Sequence, residues 1–424
     1  MLLQRMLERN PALIEAAVKL HQAGEIPPNT WLYDLDVIAE NARALARSAR
    51  DHGLTTYIMT KQYARNPMVS MVAISQGMHK TVAVDIHGAK MMHRYGVPVG
   101  HIGHLNQIPK YDIARALDIG PEVITVYSVE AARRISQVAA QKGLSQDLLV
   151  RVYRTGDVFF AGQEGGFREA EVVDAVREIQ RLPNVQVVGV TSFPAVSYGY
   201  REPLHMNPNM QTIVRAAQRL ERELGIEIKQ INAPGNTSVQ VFPLLKEAGA
   251  THVEPGTGLL GTSAGHLING DAWVEKPSYL YVSEVSHHWE GRAYAFAGGL
   301  WSLMHGAIGP SWPSFALVGS DPRAAIDNRL PYDHMDQIID YHIPLEQGQR
   351  AQIGDTVVMG ITTQAQMTRS HTAAVSGTST GNLKVWGIFD HATTMLDSDY
   401  NPVPPVQVKQ MIQQLVGAYA PVLR

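Results

Sequence analysis

The stretch Leu54-Thr55-Thr56-Tyr57-Ile58-Met59-Thr60-Lys61 decides the fold. Its centre is apolar and rich in strand formers, it is too short for an ordinary helix, and it stops on a hydroxyl and a lysine. Seven runs of the same kind follow: Thr81–Ile86, Val99–Leu105, Val123–Tyr127, Leu148–Tyr153, Val185–Thr191, Ile228–Asn232 and His252–Glu254. Segments with helical spacing lie between them, among them Asp112–Ala116, Val129–Gln141, Glu169–Arg181, Gln211–Leu224 and Ser238–Ala248. Strands alternating with helices predict a parallel sheet. Near-continuous apolar strands predict that both its faces are covered. A count of eight followed by a change of texture predicts a closed (β/α)8 TIM barrel. An open doubly wound sheet is the competitor, and the absence of G-x-G-x-x-G after the first strand counts against it.

Upstream, Trp31-Leu32-Tyr33 reads as a short strand and Asp36–Arg50 as a helix, while the first 25 residues form a helix broken at Gly24-Glu25-Ile26-Pro27-Pro28. Beyond about residue 275, Tyr279–Val285, Arg292–Phe296, Ile353–Gly360 and Leu383–Phe389 alternate like antiparallel strands, and Val406–Ala418 closes the chain as a helix. The expected domains are a helical segment at 1–30, the barrel at 31–272, and a mainly antiparallel β domain with a terminal helix at 273–424.

Composition narrows the function classes. The 424 residues carry 36 Lys+Arg against 39 Asp+Glu, with no basic stripe of the kind nucleic-acid binding needs. No apolar stretch reaches the roughly 20 residues of a membrane span. The amphipathic N-terminus lacks the unbroken apolar core of a signal peptide, so the expectation is a cytoplasmic protein. Charged residues make up 18%, which leaves room for a subunit interface. Cysteine is absent, which excludes disulfides, thiolate nucleophiles and cysteine-bound metals. Covalent chemistry must come from another side chain or a cofactor.

In a barrel, chemistry sits at the C-terminal ends of the strands. Lys61 ends the first strand, where partial desolvation would lower its pKa and suit it to Schiff-base formation; a surface lysine opening a helix is the competing reading. The loops after strands seven and eight, Asn236-Thr237-Ser238 and Glu254-Pro255-Gly256-Thr257-Gly258, are rich in glycine and hydroxyls and suit a phosphate. The first of them also suits a helix cap.

A lysine and a phosphate cradle in one barrel mouth suggest pyridoxal phosphate. The order of these segments resembles the fold-type III pyridoxal-phosphate enzymes, and most closely the YhfX-type predicted amino-acid racemases. The resemblance is good over about residues 30 to 265. It implies that Lys61, in Tyr57-Ile58-Met59-Thr60-Lys61, bears pyridoxal 5'-phosphate as an internal aldimine. It implies that Asp85 is an acid near the cofactor and that Arg151 lies near its phenolic oxygen. Ser192 falls at the sixth strand end, beside the cofactor. Asn236, Thr237, Ser238, Gly256 and Thr257 then hold the phosphate. Glu254 matches the carboxylate that faces the pyridine nitrogen, where alanine racemases carry an arginine. An opposite charge keeps that nitrogen protonated, and a protonated ring is a stronger electron sink.

Several positions depart from the family. Thr191-Ser192-Phe193 stands where a stacking histidine is usual. Tyr63 follows the lysine by two residues and Asn66 starts no racemase pattern. Ala297-Gly298-Gly299-Leu300-Trp301-Ser302 resembles the racemase glycine turn without its tyrosine. The cysteine of the decarboxylases is missing, which counts against decarboxylation. The resemblance therefore implies an amino-acid racemase or epimerase working as a homodimer on a small-molecule amino acid. Lys61 is one base, and Asp390 and His391 are the candidates for the other, ahead of His287, His288 and His305. A lyase acting on a D-amino acid is the alternative. Asp390-His391 can also hold a divalent ion, but adjacent residues diverge, and no metal is assigned. A non-catalytic cofactor-binding protein is the third possibility, against which stand the 150 or so residues after the barrel. For the substrate side chain, Arg154, Tyr198, Tyr200 and Arg201 lie on suitable loops, unranked.

Overall fold

All eight apolar runs form strands in the computed structural model, which describes residues 1–199, 203–299, 314–332, 340–362 and 364–420. They are β1 (Thr55–Met59), β2 (Lys80–Ala83), β3 (Val99–Ile102), β4 (Val123–Val126), β5 (Gln146–Tyr153), β6 (Val185–Thr191), β7 (Gln230–Asn232) and β8 (His252–Val253). Each pairs in parallel with its successor in the chain. β8 pairs in parallel with β1, setting His252 opposite Thr55, and the barrel closes. β2, β3 and β4 are buried at nearly every position, as a sheet covered on both faces requires. Val123, Leu149 and Val188 pack as one apolar cluster and Tyr57, Met59 and Val82 as another. Each such side chain contributes about 1.5–3 kcal/mol on burial.

The connecting helices are set by local signals. Ser128 caps Val129–Lys142 by accepting from the Ala131 amide at 3.1 Å, and Gly143 ends it in the left-handed conformation. The run expected as a strand over Thr81–Ile86 turns earlier: the Asp85 carboxylate accepts from the Gly88 amide at 2.6 Å and starts the helix Ile86–Arg94.

The chain divides into two units, one of Ala42–Thr60 and Gly77–Leu259, the other of Met1–Asn41, Lys61–Gln76 and Leu260–Arg424. The first is the barrel. The second differs from the expected 273–424 domain in what it recruits. Strand Thr30–Asp34, expected with the barrel, pairs antiparallel with Tyr279–Trp289 and parallel with His371–Ser376. All five of its residues are buried, so it needs cover on both faces, which this sheet's centre supplies. The sheet runs from Arg329–Pro331 through Phe315–Gly319, Thr356–Met359, Tyr279–Trp289, Thr30–Asp34, His371–Ser376 and Lys384–Phe389 to Met395–Leu396. All its pairings but the one noted are antiparallel. The N-terminal residues form two helices, Leu2–Arg9 and Pro11–Gln22, and Pro405–Tyr419 closes the chain.

Candidate active site

Glu254 follows the last residue of β8 and is wholly buried. Its Oε1 accepts from His101 Nδ1 at 2.9 Å and from Asn232 Nδ2 at 2.7 Å. Its Oε2 lies 3.5 Å from His104 Nε2 and has no hydrogen-bond partner among the described residues. Burial pushes this carboxyl up; the charge of His104, the hydrogen bond and charge of His101 and the Asn232 amide outweigh it and hold the group at about 2. Glu254 is therefore a buried anion with one oxygen open to a further donor, and an unpaired buried lone pair is costly enough to need an explanation.

His101 lies within β3, with its Nε2 2.6 Å from Thr125 Oγ1 on β4. Gly103 has φ +85°, and a Cβ there would meet the Thr125 carbonyl oxygen at 2.9 Å. Glycine thus permits the close turn that leads from β3 to His104. The His104 ring stands edge-on to His101 and to Phe193, with centroids 5.5 and 5.6 Å apart. His101, His104 and Glu254 offer ligand atoms within 4.8 Å of one another, the spacing a divalent ion needs. Both ring nitrogens of His101 are already engaged, on Glu254 and Thr125.

The loop after β7 departs from the capping reading. The helix after it, Phe242–Glu247, starts at Val241 without a side-chain cap. Thr237 Oγ1 and Ser238 Oγ are buried and make no hydrogen bond among the described residues. Asn236 donates its side-chain amide to the Tyr198 carbonyl at 3.1 Å. A Cβ on Gly258 would meet the Thr237 carbonyl oxygen at 2.1 Å, so the loops after β7 and β8 touch there. Gly256 is buried and Thr257 half-buried in the second loop. Two orphaned hydroxyl donors on the loop after β7, where the loop after β8 meets it, fit an anion such as a phosphate.

Arg151, on β5, is 1% exposed. Its guanidinium donates to the Tyr127 hydroxyl and, at 2.6 Å, to the Gln163 carbonyl, and it lies over the Tyr127 and Phe159 rings. Ser192 Oγ, buried after β6, accepts from Asn209 at 3.1 Å. Asp85 is occupied as a helix cap.

In the second unit, Lys61 opens a 3-10 turn, two residues after the end of β1, and is 9% exposed. It is not the surface lysine of the competing reading. Tyr63 is buried against the Ser70 hydroxyl at 2.8 Å. Asn66 accepts from the Met68 amide at 3.0 Å to cap Pro67–Ser75 and donates to Thr372 at 3.1 Å. Asp390 and His391 begin a turn after strand Lys384–Phe389. Asp390 Oδ1 accepts from the Thr394 amide at 2.7 Å, and His391 is exposed. Thr393 of this turn donates to the Ala64 carbonyl at 3.5 Å, which brings the turn against the loop that begins with Lys61. His287 stacks on Tyr294 at 4.8 Å, and His288 donates to the carbonyls of Gly348 and Ala351 at 3.1 Å. His305, Leu300, Trp301, Ser302, Tyr200 and Arg201 lie outside the described residues.

Sequence reasoning passed over His101, His104 and Asn232 as partners of Glu254. The available signal was a histidine inside an apolar barrel strand and another just past its end.

An eight-stranded barrel with a buried carboxylate after β8 and free hydroxyls after β7 defines a class, and the sequence agrees. The chain belongs to the alanine racemase family, matching the alanine racemase N-terminal domain over residues 33–264. Residues 280–385 match a YhfX-like C-terminal domain. The chain is 37% identical over 391 residues to the uncharacterized protein YhfX of Escherichia coli (strain K12), covering 92% of this chain and 98% of that one. The fold is similar to that of the D-threonine aldolase from Filomicrobium marinum, with TM-score 0.64, 15% identity, and 87% and 95% of the two chains covered. It is also similar to the alanine racemase of Clostridium difficile 630 in complex with cycloserine, with TM-score 0.63, 15% identity, and 86% and 98% covered. Family, fold and the free hydroxyls agree with pyridoxal phosphate as the cofactor. Among the described residues no helix is long and apolar enough to cross a membrane.

Proposed function

We propose that this protein is a pyridoxal-phosphate-dependent amino-acid racemase or epimerase that works in the cytoplasm as a homodimer. The observation that carries this reading is Glu254, a buried anion with one oxygen free of hydrogen bonds among the described residues. A protonated pyridine nitrogen is the donor such an oxygen suits. Bound pyridoxal phosphate supplies an electron sink for the carbanion at the amino-acid α-carbon. Thr237 and Ser238 donate their hydroxyls to the phosphate, with Asn236, Gly256 and Thr257 completing its cradle. Arg151 and Ser192 belong near the pyridine ring. Asp85, a helix cap, shapes the second strand end. The Lys61 amine holds the cofactor and takes or returns the α-proton on one face of the substrate. The other face needs its own acid–base group, and we assign it to the Asp390–His391 turn, on the ground that this turn touches the lysine loop.

The alternative is a D-amino-acid lyase. It is favoured by the likeness of the fold to a D-threonine aldolase.

The test is a panel of single-enantiomer amino acids, with and without a chelator, followed by chiral chromatography. Inversion without loss of the amino acid and indifferent to chelation is expected. Chelator-sensitive release of an aldehyde or ammonia would replace the racemase by the lyase. Loading with pyridoxal phosphate should give a visible band, and borohydride reduction should fix the cofactor's mass on the Lys61 peptide. An unchanged band in Lys61→Ala would refute the lysine assignment.

A further inference from the structure

We propose that His101 and Thr125 are positioning residues that decide which oxygen of Glu254 is presented to the bound cofactor. This rests on the reading that Glu254 meets the pyridine nitrogen. The ionised carboxylate can only accept, so His101 Nδ1 carries the proton in the 2.9 Å contact with Oε1. The other ring nitrogen, Nε2, is hydrogen-bonded to the Thr125 hydroxyl at 2.6 Å. Thr125, His101 and Glu254 thus form one hydrogen-bonded chain across the barrel end.

Asn232 adds a second donor to the same oxygen at 2.7 Å. Among the described residues both hydrogen bonds fall on Oε1, and Oε2 has only the ion-pair contact with the His104 ring at 3.5 Å. A carboxylate with two free rotamers would share its donors between its oxygens. Here His101 is 0% exposed, tied at both nitrogens, and has no room to follow Glu254 if the carboxylate turns. Three strands fix the arrangement: β3 holds His101, β4 holds Thr125 and β7 holds Asn232. Rigid strands hold a site more tightly than loops do, and outer partners of this kind typically matter by about 10–100-fold.

The experiment uses the full chain loaded with pyridoxal phosphate labelled with 15N in the ring, and the 15N shift reports ring protonation. Wild type should give a protonated ring and Glu254→Gln a neutral one. His101→Leu should move the signal toward the neutral value and lower kcat about 10-fold at nearly constant KM. His101→Asn keeps a donor near Nδ1 and should recover most of the protonated signal. Thr125→Val should give a smaller shift in the same direction, and serves if His101→Leu does not fold. If Glu254→Gln shifts the signal and neither His101→Leu nor Thr125→Val does, the positioning role is wrong while the ring assignment stands. If Glu254→Gln leaves the signal unchanged, the ring assignment itself fails. Stoichiometric divalent metal in the wild type, lost in His101→Leu, would replace the hydrogen-bond chain by a metal site.

Discussion

Glu122 and Glu254 stand at opposite ends of one barrel. Glu122 precedes β4 at the N-terminal rim and Glu254 follows β8 at the C-terminal rim. Both are held at about 2. At Glu122 burial raises the carboxyl, and hydrogen bonds from His79, Lys80 and Tyr57 more than reverse it. Oε1 of Glu122 receives His79 and Lys80, each at 2.8 Å, and Oε2 receives the Tyr57 hydroxyl at 2.7 Å. Every acceptor there is used, and the side chain is 31% exposed. Glu254 has the same depressed titration, complete burial and an oxygen left over. A shifted pKa is thus shared by a structural carboxylate and a candidate site. The unfilled lone pair tells them apart, and it lies at the barrel end where chemistry is expected.

The sharpest way to break this comparison is to neutralise both groups. Glu254→Gln should lower kcat by about 100-fold or more, the scale of losing a preorganised electrostatic contact. Glu122→Gln should leave kcat within about twofold. Equal losses in steady-state turnover would remove the distinction.

A smaller effect is expected at the free hydroxyls. Ser238→Ala and Thr237→Ala should each weaken cofactor binding about 10-fold, the worth of one hydrogen bond to a charged group. The melting temperature of the cofactor-free protein should hardly change, because these hydroxyls have no hydrogen-bond partner among the described residues to lose. Fluorescence titration with pyridoxal phosphate and thermal melts measure the two quantities. A stability loss without a binding loss would make the pair structural.

The smallest effect belongs to Glu122. Its folded pKa lies below the ordinary 4.5, so the unfolded chain takes up a proton first. The stabilisation is present above about pH 4.5 and is lost as pH falls toward 2. Glu122→Gln should cost about 1 kcal/mol at pH 7 and flatten the acid limb of the urea-midpoint profile. A limb as steep as that of the wild type would show that other carboxylates carry it.

Much of the barrel was legible because its signals are local. Val185–Thr191 begins and ends where its apolar run does, and Ser128 caps the helix its position suggests. Two readings failed for non-local reasons. Trp31-Leu32-Tyr33 looks like any buried strand, and nothing in its composition says that its partners are Tyr279–Trp289 and His371–Ser376. Asn236-Thr237-Ser238 looks like a cap, and its hydroxyls are free only because the helix starts further on.

The amino-acid sequence alone determined the number of strands, their alternation with helices, the lack of any thiol chemistry, and the positions of Lys61 and Glu254. Those are properties of short windows, set by side-chain periodicity and residue type. Only the tertiary structure decided that β8 closes on β1, and that His101, Thr125 and Asn232 gather around one oxygen of Glu254. His101 and Glu254 are 153 positions apart. Their meeting depends on barrel register and on which way each side chain faces across the sheet, which no local pattern carries.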